Sequence, residues 1–201
     1  YSGMGFNRSV NTDPDGSYYA MRSVNSTKYL IIQSYKLEYS DTKTLLENLK
    51  NFEKIDEQDG FTIFKNKAYI PIGYSNSYYI SDDEYEKIAK SNRDNMLARA
   101  VVLTDAQIEK YSDILTELEP DRYSDFNYYT FEKDAQELAK TAVDTFTPTA
   151  NGFKATSSFT EDRFVTFTVP WESGWSATIN GEKAEIEKVN RGVMGIKVPA
   201  G

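Results

Sequence analysis

The 201-residue sequence contains neither cysteine nor histidine. Without them the chain has no thiolate or imidazole nucleophile, and it lacks the ligands of zinc and iron sites that depend on these side chains. A small secreted domain held together by disulfides is excluded as well. Carboxylate chemistry, lysine chemistry and oxygen-only metal binding remain open.

Long apolar runs and basic clusters are also missing. No run approaches the ~20 apolar residues that a helix needs to cross a bilayer. The chain carries 31 Asp and Glu against 23 Lys and Arg, a net charge of −8, and its basic residues form no stripe. Such a chain repels phosphate backbones, so we expect no nucleic-acid partner. Since it begins at Tyr1 without a signal peptide and ends at Gly201 just after an apolar strand, we expect an excerpt of a longer protein.

Aromatic residues are plentiful: 15 Tyr and 11 Phe, within a hydrophobic fraction of 39%. They are sufficient for a packed core and favour strands over a helical bundle. Capping residues and apolar periodicity along residues 1–149 predict an α+β portion. Its predicted helices are Ser17–Asn25, one that begins at Asp41 or Thr42, one after Ser81, a further stretch to about Ala100, one after Thr104, and Phe131–Phe146. Its predicted strands are Lys28–Gln33, the hairpin Phe52–Glu57 with Phe61–Lys65, an irregular or edge strand Tyr69–Tyr74, and Val101–Leu103.

The last quarter of the chain, residues 150–201, has a different pattern. Short strands are separated by turn residues, and Asn180-Gly181 is the strongest hairpin signal in the sequence. This pattern predicts an antiparallel β-sandwich-like portion and an α+β fold class for the whole chain. The sequence leaves open whether the two portions form one continuous domain. The predicted strands are Phe153–Phe159, Arg163–Val169, Trp175–Ile179, Lys183–Val189 and Gly192–Val198.

Two patterns could carry polar chemistry. Asn11, Asp13 and Asp15 followed by Gly16 resemble the start of a calcium loop, but its twelfth position is Arg22 rather than a bidentate Glu. A turn explains this segment better, so we predict no metal. Paired carboxylates can hydrolyse glycosides, but helix capping and solvation explain the pairs here, so we predict no catalytic residue and no cofactor. The carboxylate groups are Asp82/Asp83/Glu84, Glu117/Glu119/Asp121 and Glu161/Asp162.

Adjacent aromatic residues are the remaining candidates for binding. In a strand, neighbouring side chains point to opposite faces, so each tyrosine pair is expected to place one ring inward and one outward. Outward rings can stack on sugars, although core packing is the simpler interpretation. The pairs are Tyr18-Tyr19, Tyr78-Tyr79 and Tyr128-Tyr129, and Trp171 and Trp175 flank Gly174. The candidate carbohydrate-binding residues are Tyr78, Tyr79, Trp171 and Trp175.

The segment Phe167–Gly181 and the closing strand Val193–Gly201 resemble the extracellular region of the YfhO family of bacterial membrane proteins. That region has a Pro-aromatic-x-x-Gly-Trp turn, an Asn/Asp-Gly hairpin and a closing strand that ends in a small-residue Gly. Val24–Ile32 and Phe64–Tyr74 are similar to two upstream segments of the family. The two glycines of the motif are expected to adopt turn dihedrals that a side chain would forbid, and its two tryptophans to bury large areas. The structural motif residues are Pro170, Gly174, Asn180 and Gly181.

The resemblance implies the extracellular, soluble part of a multi-pass cell-membrane protein with the architecture of a lipid-linked-sugar glycosyltransferase. Its implied role is to assist glycosylation of lipoteichoic acid or another envelope polymer of Gram-positive bacteria by binding or orienting the acceptor. The implied partners are the membrane-embedded portion of the same protein and an envelope glycopolymer. Catalysis is implied to lie outside this chain.

Two alternatives stay open. A non-catalytic structural or protein-interaction module of the cell envelope would have a contiguous exposed apolar patch and no affinity for sugars. A secreted glycosidase would act on oligosaccharides and lose its activity when a single Asp or Glu is replaced.

Overall fold

The computed structural model describes residues 20–39 and 50–201 of the chain. Three predictions lie outside these residues: the calcium-like loop, the helix that begins at Asp41 or Thr42, and the Tyr18-Tyr19 pair.

Helices and strands alternate in the first part of the described chain, and strands alone make up its last part. The helices are α1 (Met21–Val24), α2 (Asp82–Lys87), α3 (Arg93–Leu97), α4 (Asp105–Tyr111) and α5 (Tyr128–Ala139), with 3-10 helices at Ser34–Glu38, Lys90–Asn92 and Pro120–Tyr123. The strands are β1 (Tyr29–Gln33), β2 (Phe52–Gln58), β3 (Phe61–Asn66), β4 (Tyr74–Ser75), β5 (Tyr78–Ser81), β6 (Val101–Leu103), β7 (Thr116–Glu117), β8 (Thr145–Thr149), β9 (Gly152–Thr156), β10 (Arg163–Pro170), β11 (Ala177–Ile179), β12 (Glu182–Ala184), β13 (Glu187–Val189) and β14 (Val193–Val198). The predicted α+β class is confirmed.

The strands form both parallel and antiparallel sheets. The order β6-β5-β7 is parallel, with Tyr79 opposite both Val101 and Glu117. Helices α2 and α3 connect β5 to β6, and α4 connects β6 to β7, which is the crossover that parallel pairing requires. The sheets β1-β3-β2 and β13-β14-β10-β4 are antiparallel, as are the hairpins β8–β9 and β11–β12.

Local sequence signals explain several of these boundaries. The Ser81 hydroxyl accepts a hydrogen bond from the backbone N–H of Glu84 at 3.2 Å, which caps α2 as predicted. At the start of α4, the Gln107 side chain accepts from the N–H of Thr104 at 3.0 Å. Asn180 and Gly181 have φ angles of 53° and 88° in the β11–β12 turn, so the predicted hairpin is confirmed.

Two hydrophobic clusters hold the described chain together. The first surrounds β5 and β6 and contains side chains from α2 to α5. The second lies between β10–β14 and the hairpins β8–β9 and β11–β12, and it gives the C-terminal part its sandwich-like form. Phe164, Val189 and Val193 belong to the first cluster although they lie in the C-terminal strands. Backbone pairing of β4 with β10 also joins the two predicted portions, while their division at residues 149 and 150 stays a prediction.

The predicted helix Phe131–Phe146 is wrong in its last part. Helix α5 ends at Ala139, and Thr145–Thr149 forms β8 instead. The β-branched threonines and Pro148 in this segment favour an extended strand paired with β9 over a helix.

Two strand predictions also need correction. Residues 69–73 form no strand, because Gly73 has a φ of 83° and Pro71 cannot donate a ladder hydrogen bond. A Cβ at Gly73 would lie 2.9 Å from both Phe167 and Val143, so this position requires glycine. The predicted strand Lys183–Val189 is two short strands, β12 and β13, which pair with different partners.

Candidate functional site

A cleft of about 600 Å³ lies beside helix α5. One wall is the chain from β4 into β5, and the opposite wall is the exposed side of α5. The segment after α3 and the turn before α5 close its remaining sides. Its lining residues are Ser75, Asn76, Ser77, Tyr78, Ala98, Arg99, Asp121, Arg122, Ser124, Asp125, Thr130, Lys133, Asp134, Glu137, Leu138 and Thr141.

Helix α5 presents its cleft side through residues spaced three and four apart. Thr130, Lys133, Asp134 and Glu137 recur at this spacing and therefore share one side of the helix. The side chain of Asn127 accepts from the N–H groups of Tyr129 and Thr130, which fixes where the helix starts. Because the cap fixes the first residue of the helix, it also fixes where these polar side chains lie along the cleft.

Arg99 is buried and fixes the turn that closes the cleft. Its Nε donates to Asp134 Oδ2 at 2.6 Å. Its terminal nitrogens donate to three backbone carbonyl oxygens, those of Arg122, Ser124 and Asp125, at 2.8 to 3.2 Å. Since a guanidinium has five N–H donors, these four bonds leave it little capacity for a ligand. Arg99 therefore holds the turn before α5 in place as one side of the cleft.

Arg122 is a partly exposed cation at the rim of the cleft. Its guanidinium lies 5.2 Å above the centre of the Tyr78 ring, and its side chain is 40% exposed. The nearest carboxylate oxygen, Asp134 Oδ1, is 3.9 Å from its Nη2, which is too long for a hydrogen bond. The aromatic ring holds the guanidinium in place and leaves the side chain partly accessible to a ligand.

Thr141 joins the two walls at the base of the cleft. Its hydroxyl donates to the carbonyl oxygen of Ser75 at 2.7 Å, and the Ser75 N–H donates back to it at 3.1 Å. The next residue, Asn76, is only 3% exposed, and neither polar atom of its amide has a partner among the described residues. An unpaired buried amide is unfavourable by about 1–3 kcal/mol, so the base of the cleft is a polar place that a bound water would stabilise.

The chemistry of the lining is mixed in charge and rich in hydroxyl groups. Three cationic and four acidic side chains face it, with hydroxyls from Ser, Thr and Tyr between them. Such a lining can exchange hydrogen bonds with a hydroxylated ligand without requiring it to carry charge. Among the described residues no group of three or more acidic side chains is arranged to hold a metal ion.

Of the predicted carbohydrate-binding residues, the structure places Tyr78 in the cleft and separates the others from it. Tyr79 points to the other side of β5 and is buried, and this burial raises the pKa of its hydroxyl, with the negative charge of Glu117 adding to the effect. Trp171 and Trp175 are half-buried against the second cluster. Sugar binding by these four residues stays a prediction, but burial favours a packing role for Tyr79.

The Tyr128-Tyr129 pair differs from what a strand would give. Both residues lie in the first turn of α5, where neighbouring side chains are about 100° apart rather than on opposite faces. Tyr129 is exposed and Tyr128 half-buried, and their rings meet edge to face at 5.5 Å.

The structural motif residues lie around the second cluster. Pro170 ends β10 beside a register shift against β14. The ring centres of Trp175 and Phe153 are 6.1 Å apart. The Phe153 ring also packs at a tilt against Phe146 and Phe167. The expectation for Gly174 is wrong: it has no positive φ, and a Cβ there would contact nothing within 4 Å. The turn between the tryptophans therefore does not need a glycine.

Sequence inspection missed Arg99, Asp134 and Arg122. Arg99 lies in a mainly apolar stretch, Met96–Leu103, where a charged residue is unusual and signals a buried partner. Asp134 and Arg122 gave no such signal, because isolated charged residues in helices and turns are ordinary.

Comparison with known proteins finds one family model that is similar to part of the chain. Among the described residues no helix is long and apolar enough to span a membrane. No curated protein and no solved structure matches the chain. Residues 122–201, which include α5 and the motif segment Phe167–Gly181, match the family model described as bacterial membrane protein YfhO. The predicted resemblance is confirmed over these residues: residues 122–201 are similar to the YfhO family of bacterial membrane proteins.

Proposed function

We propose that this chain is the extracellular part of a YfhO-type membrane protein, and that its cleft binds the polymer acceptor of a glycosylation reaction. The observation that carries the proposal is the hydroxyl-rich cleft of mixed charge beneath the Arg122–Tyr78 pair. Sugar polymers offer hydroxyl groups that both donate and accept, which is what this lining can satisfy. The family match supports a location at the bacterial membrane.

In this proposal the chain orients the acceptor and does not carry out the transfer. The carboxylates nearest the middle of α5 already have partners: Asp134 binds Arg99 at 2.6 Å, and Glu137 binds Lys140 at 2.6 Å. The chain also lacks the nucleophiles and bases that histidine and cysteine would supply. The reacting groups of a lipid-linked-sugar transferase would then lie in the membrane-embedded portion, and lipoteichoic acid is the acceptor to test first.

Calorimetric titration of the chain with purified lipoteichoic acid tests this function. We expect saturable binding that Arg122→Ser weakens about tenfold, since charge-assisted hydrogen bonds contribute about 1.5–3 kcal/mol. The matched control is Lys183→Ser, which removes the same charge from an exposed position on β12, away from the cleft lining, and should leave the affinity within about twofold. Equal losses in both variants would indicate attraction by overall charge only. No heat of binding with the wild-type chain would remove the acceptor role.

The interaction-module alternative is favoured by one observation, an exposed apolar face on the sheet β1-β3-β2. If the polymer does not bind, this face is the surface on which an interaction module would bind its partner.

A further inference from the structure

Exposed large apolar side chains gather on one sheet and on the 3-10 helix that follows its first strand. Ile31 is 60% exposed, and five others exceed 40%. Elsewhere in residues 20–39 and 50–201 the exposed large apolar side chain is Tyr129. We call this set the outer face; it consists of Tyr29, Ile31, Tyr35, Tyr39, Ile55 and Phe61.

The outer face places large apolar side chains on the solvent side of an antiparallel sheet. The register pairs Ile31 with Ile63 and Gln33 with Phe61, so these side chains share the outward side. Their neighbours on the inward side include the polar Thr62 and Asn66, which are completely or almost completely buried. A sheet that covers a core on one side normally turns polar residues outward. Here the solvent side also carries several large apolar side chains, although Phe64 on the inward side is buried in the usual way.

Hydrogen bonds fix this orientation. The Asn66 amide donates to Ser23 Oγ at 3.1 Å and to the carbonyl oxygen of Thr27 at 2.9 Å. Asn51 donates to Asn66 Oδ1 at 2.8 Å. A slip of one residue in the register would move Ile31 and Phe61 inward but would also break this buried network. The sheet therefore holds its apolar side outward, where a partner can cover it.

The residue types on the outer face suit a lipid surface. Half of its members are tyrosines, whose rings have an apolar body and a polar hydroxyl. Lysines accompany them: Lys28 Nζ lies 5.5 Å from the centre of the Tyr29 ring, and Lys36 Nζ lies 6.0 Å from that of Tyr35. Tyrosine rings concentrate at the headgroup level of bilayers, and lysine ammonium groups reach the lipid phosphates from there.

The charge of this region is compatible with the same partner. Residues 28–39 and 50–67, which form this sheet and its flanks, contain six Lys and five Asp or Glu, whereas the whole chain has a net charge of −8. An anionic membrane repels the rest of the chain but not this region. Beside such a membrane, the protein is repelled least when the outer face is turned toward the lipid.

We propose that the outer face rests on the surface of the lipid bilayer, with its tyrosine and isoleucine side chains at headgroup depth and Lys28 and Lys36 at lipid phosphates. A match to a membrane-protein family supports a bilayer within reach of the chain. The proposal does not depend on what occupies the cleft.

Co-sedimentation of the 201-residue chain with vesicles tests it. We expect binding to vesicles of phosphatidylcholine with phosphatidylglycerol, and weaker binding to phosphatidylcholine alone. Ile31→Ser should weaken binding about tenfold, because it removes most of an exposed isoleucine. The control is Tyr129→Ser, at a position 80% exposed in α5, which should leave binding unchanged. Circular dichroism of each variant confirms that it is folded.

A charge variant gives a second, independent result. Lys36→Glu should weaken binding to phosphatidylglycerol vesicles at low salt, and the difference should shrink in high salt. The proposal is overturned if the wild-type chain binds neither kind of vesicle. It is also overturned if Ile31→Ser and Tyr129→Ser weaken vesicle binding equally. It is overturned as well if sedimentation velocity detects a dimer that Ile31→Ser dissociates, because a second copy would then be the occupant of the face.

Discussion

The two larger antiparallel sheets of the described chain bury their apolar residues to different extents. In the C-terminal sheet, Phe164 faces the first cluster while Val165 and Phe167 face the second, so strand β10 is packed on both sides. In the N-terminal sheet, apolar Ile31 and Phe61 face solvent and polar Asn66 faces inward. Alternation along a strand thus determines which residues share a face, but the surrounding fold determines which face is buried.

The largest expected difference between the sheets comes from truncating one phenylalanine in each. Phe164→Ala should lower the free energy of unfolding by about 4 kcal/mol, because Phe164 is 1% exposed and leaves a cavity. Phe61→Ala should lower it by less than about 1 kcal/mol, since that ring is 41% exposed. Chemical denaturation of both variants measures the difference. Losses of similar size would mean that the outer face is buried within the chain itself.

The buried carboxylate of Asp94, which binds the N-terminal region, should make the free energy of unfolding depend on pH. Asp94 Oδ2 accepts from the N–H of Ala20 at 3.1 Å, next to α1, and burial away from water raises the pKa of Asp94 to about 7. The folded chain therefore binds this proton more tightly than the unfolded chain, and stability falls as pH rises from about 4 to about 7. We expect a loss of about 3 kcal/mol over this range.

The variant Asp94→Asn is the control for this pH effect. It cannot ionise, so its free energy of unfolding should lose most of that slope between pH 4 and pH 8. The chain has no histidine, which leaves few other groups to titrate in this window. A slope equal to that of the wild type would assign the effect to other carboxylates.

Alanine substitutions at two glycines of the C-terminal part should give the smallest of these differences in stability. A Cβ at Gly195 would lie 2.6 Å from the Phe164 ring and 3.0 Å from Val189, so Gly195→Ala should destabilise by about 2 kcal/mol. A Cβ at Gly174 would contact nothing within 4 Å, so Gly174→Ala should change stability by less than about 0.5 kcal/mol. Thermal unfolding compares the two variants, and equal shifts in Tm would contradict the close packing of β14 on β10.

Local chemistry made much of the fold predictable. The Asn180-Gly181 turn needs two positive φ angles, which these residue types adopt readily, and the Ser81 cap needs only a hydroxyl three residues before an N–H. The end of helix α5 was missed because its apolar periodicity continues beyond Ala139. What ends the helix in the fold is pairing of β8 with β9, which the period alone does not reveal.

The candidate site was less predictable because its residues come from distant parts of the chain. Tyr78 could be named as an aromatic residue in a strand, but its choice over Tyr79 depends on which face of β5 packs on the first cluster. Arg99 meets Asp134 across 35 positions, and Arg122 meets Tyr78 across 44, so neither contact leaves a spacing pattern. Trp171 and Trp175 pack on the second cluster, away from the cleft, and the spacing of these residues in the sequence does not reveal that separation.

The most direct test of the account is to map by NMR which residues respond when isotope-labelled chain is titrated with lipoteichoic acid. We predict chemical-shift changes concentrated at Tyr78, Arg122, Thr130 and Lys133, with little change on strands β11 and β12. Changes confined to Trp171 and Trp175, or the absence of any change at saturating polymer, would contradict binding in the cleft.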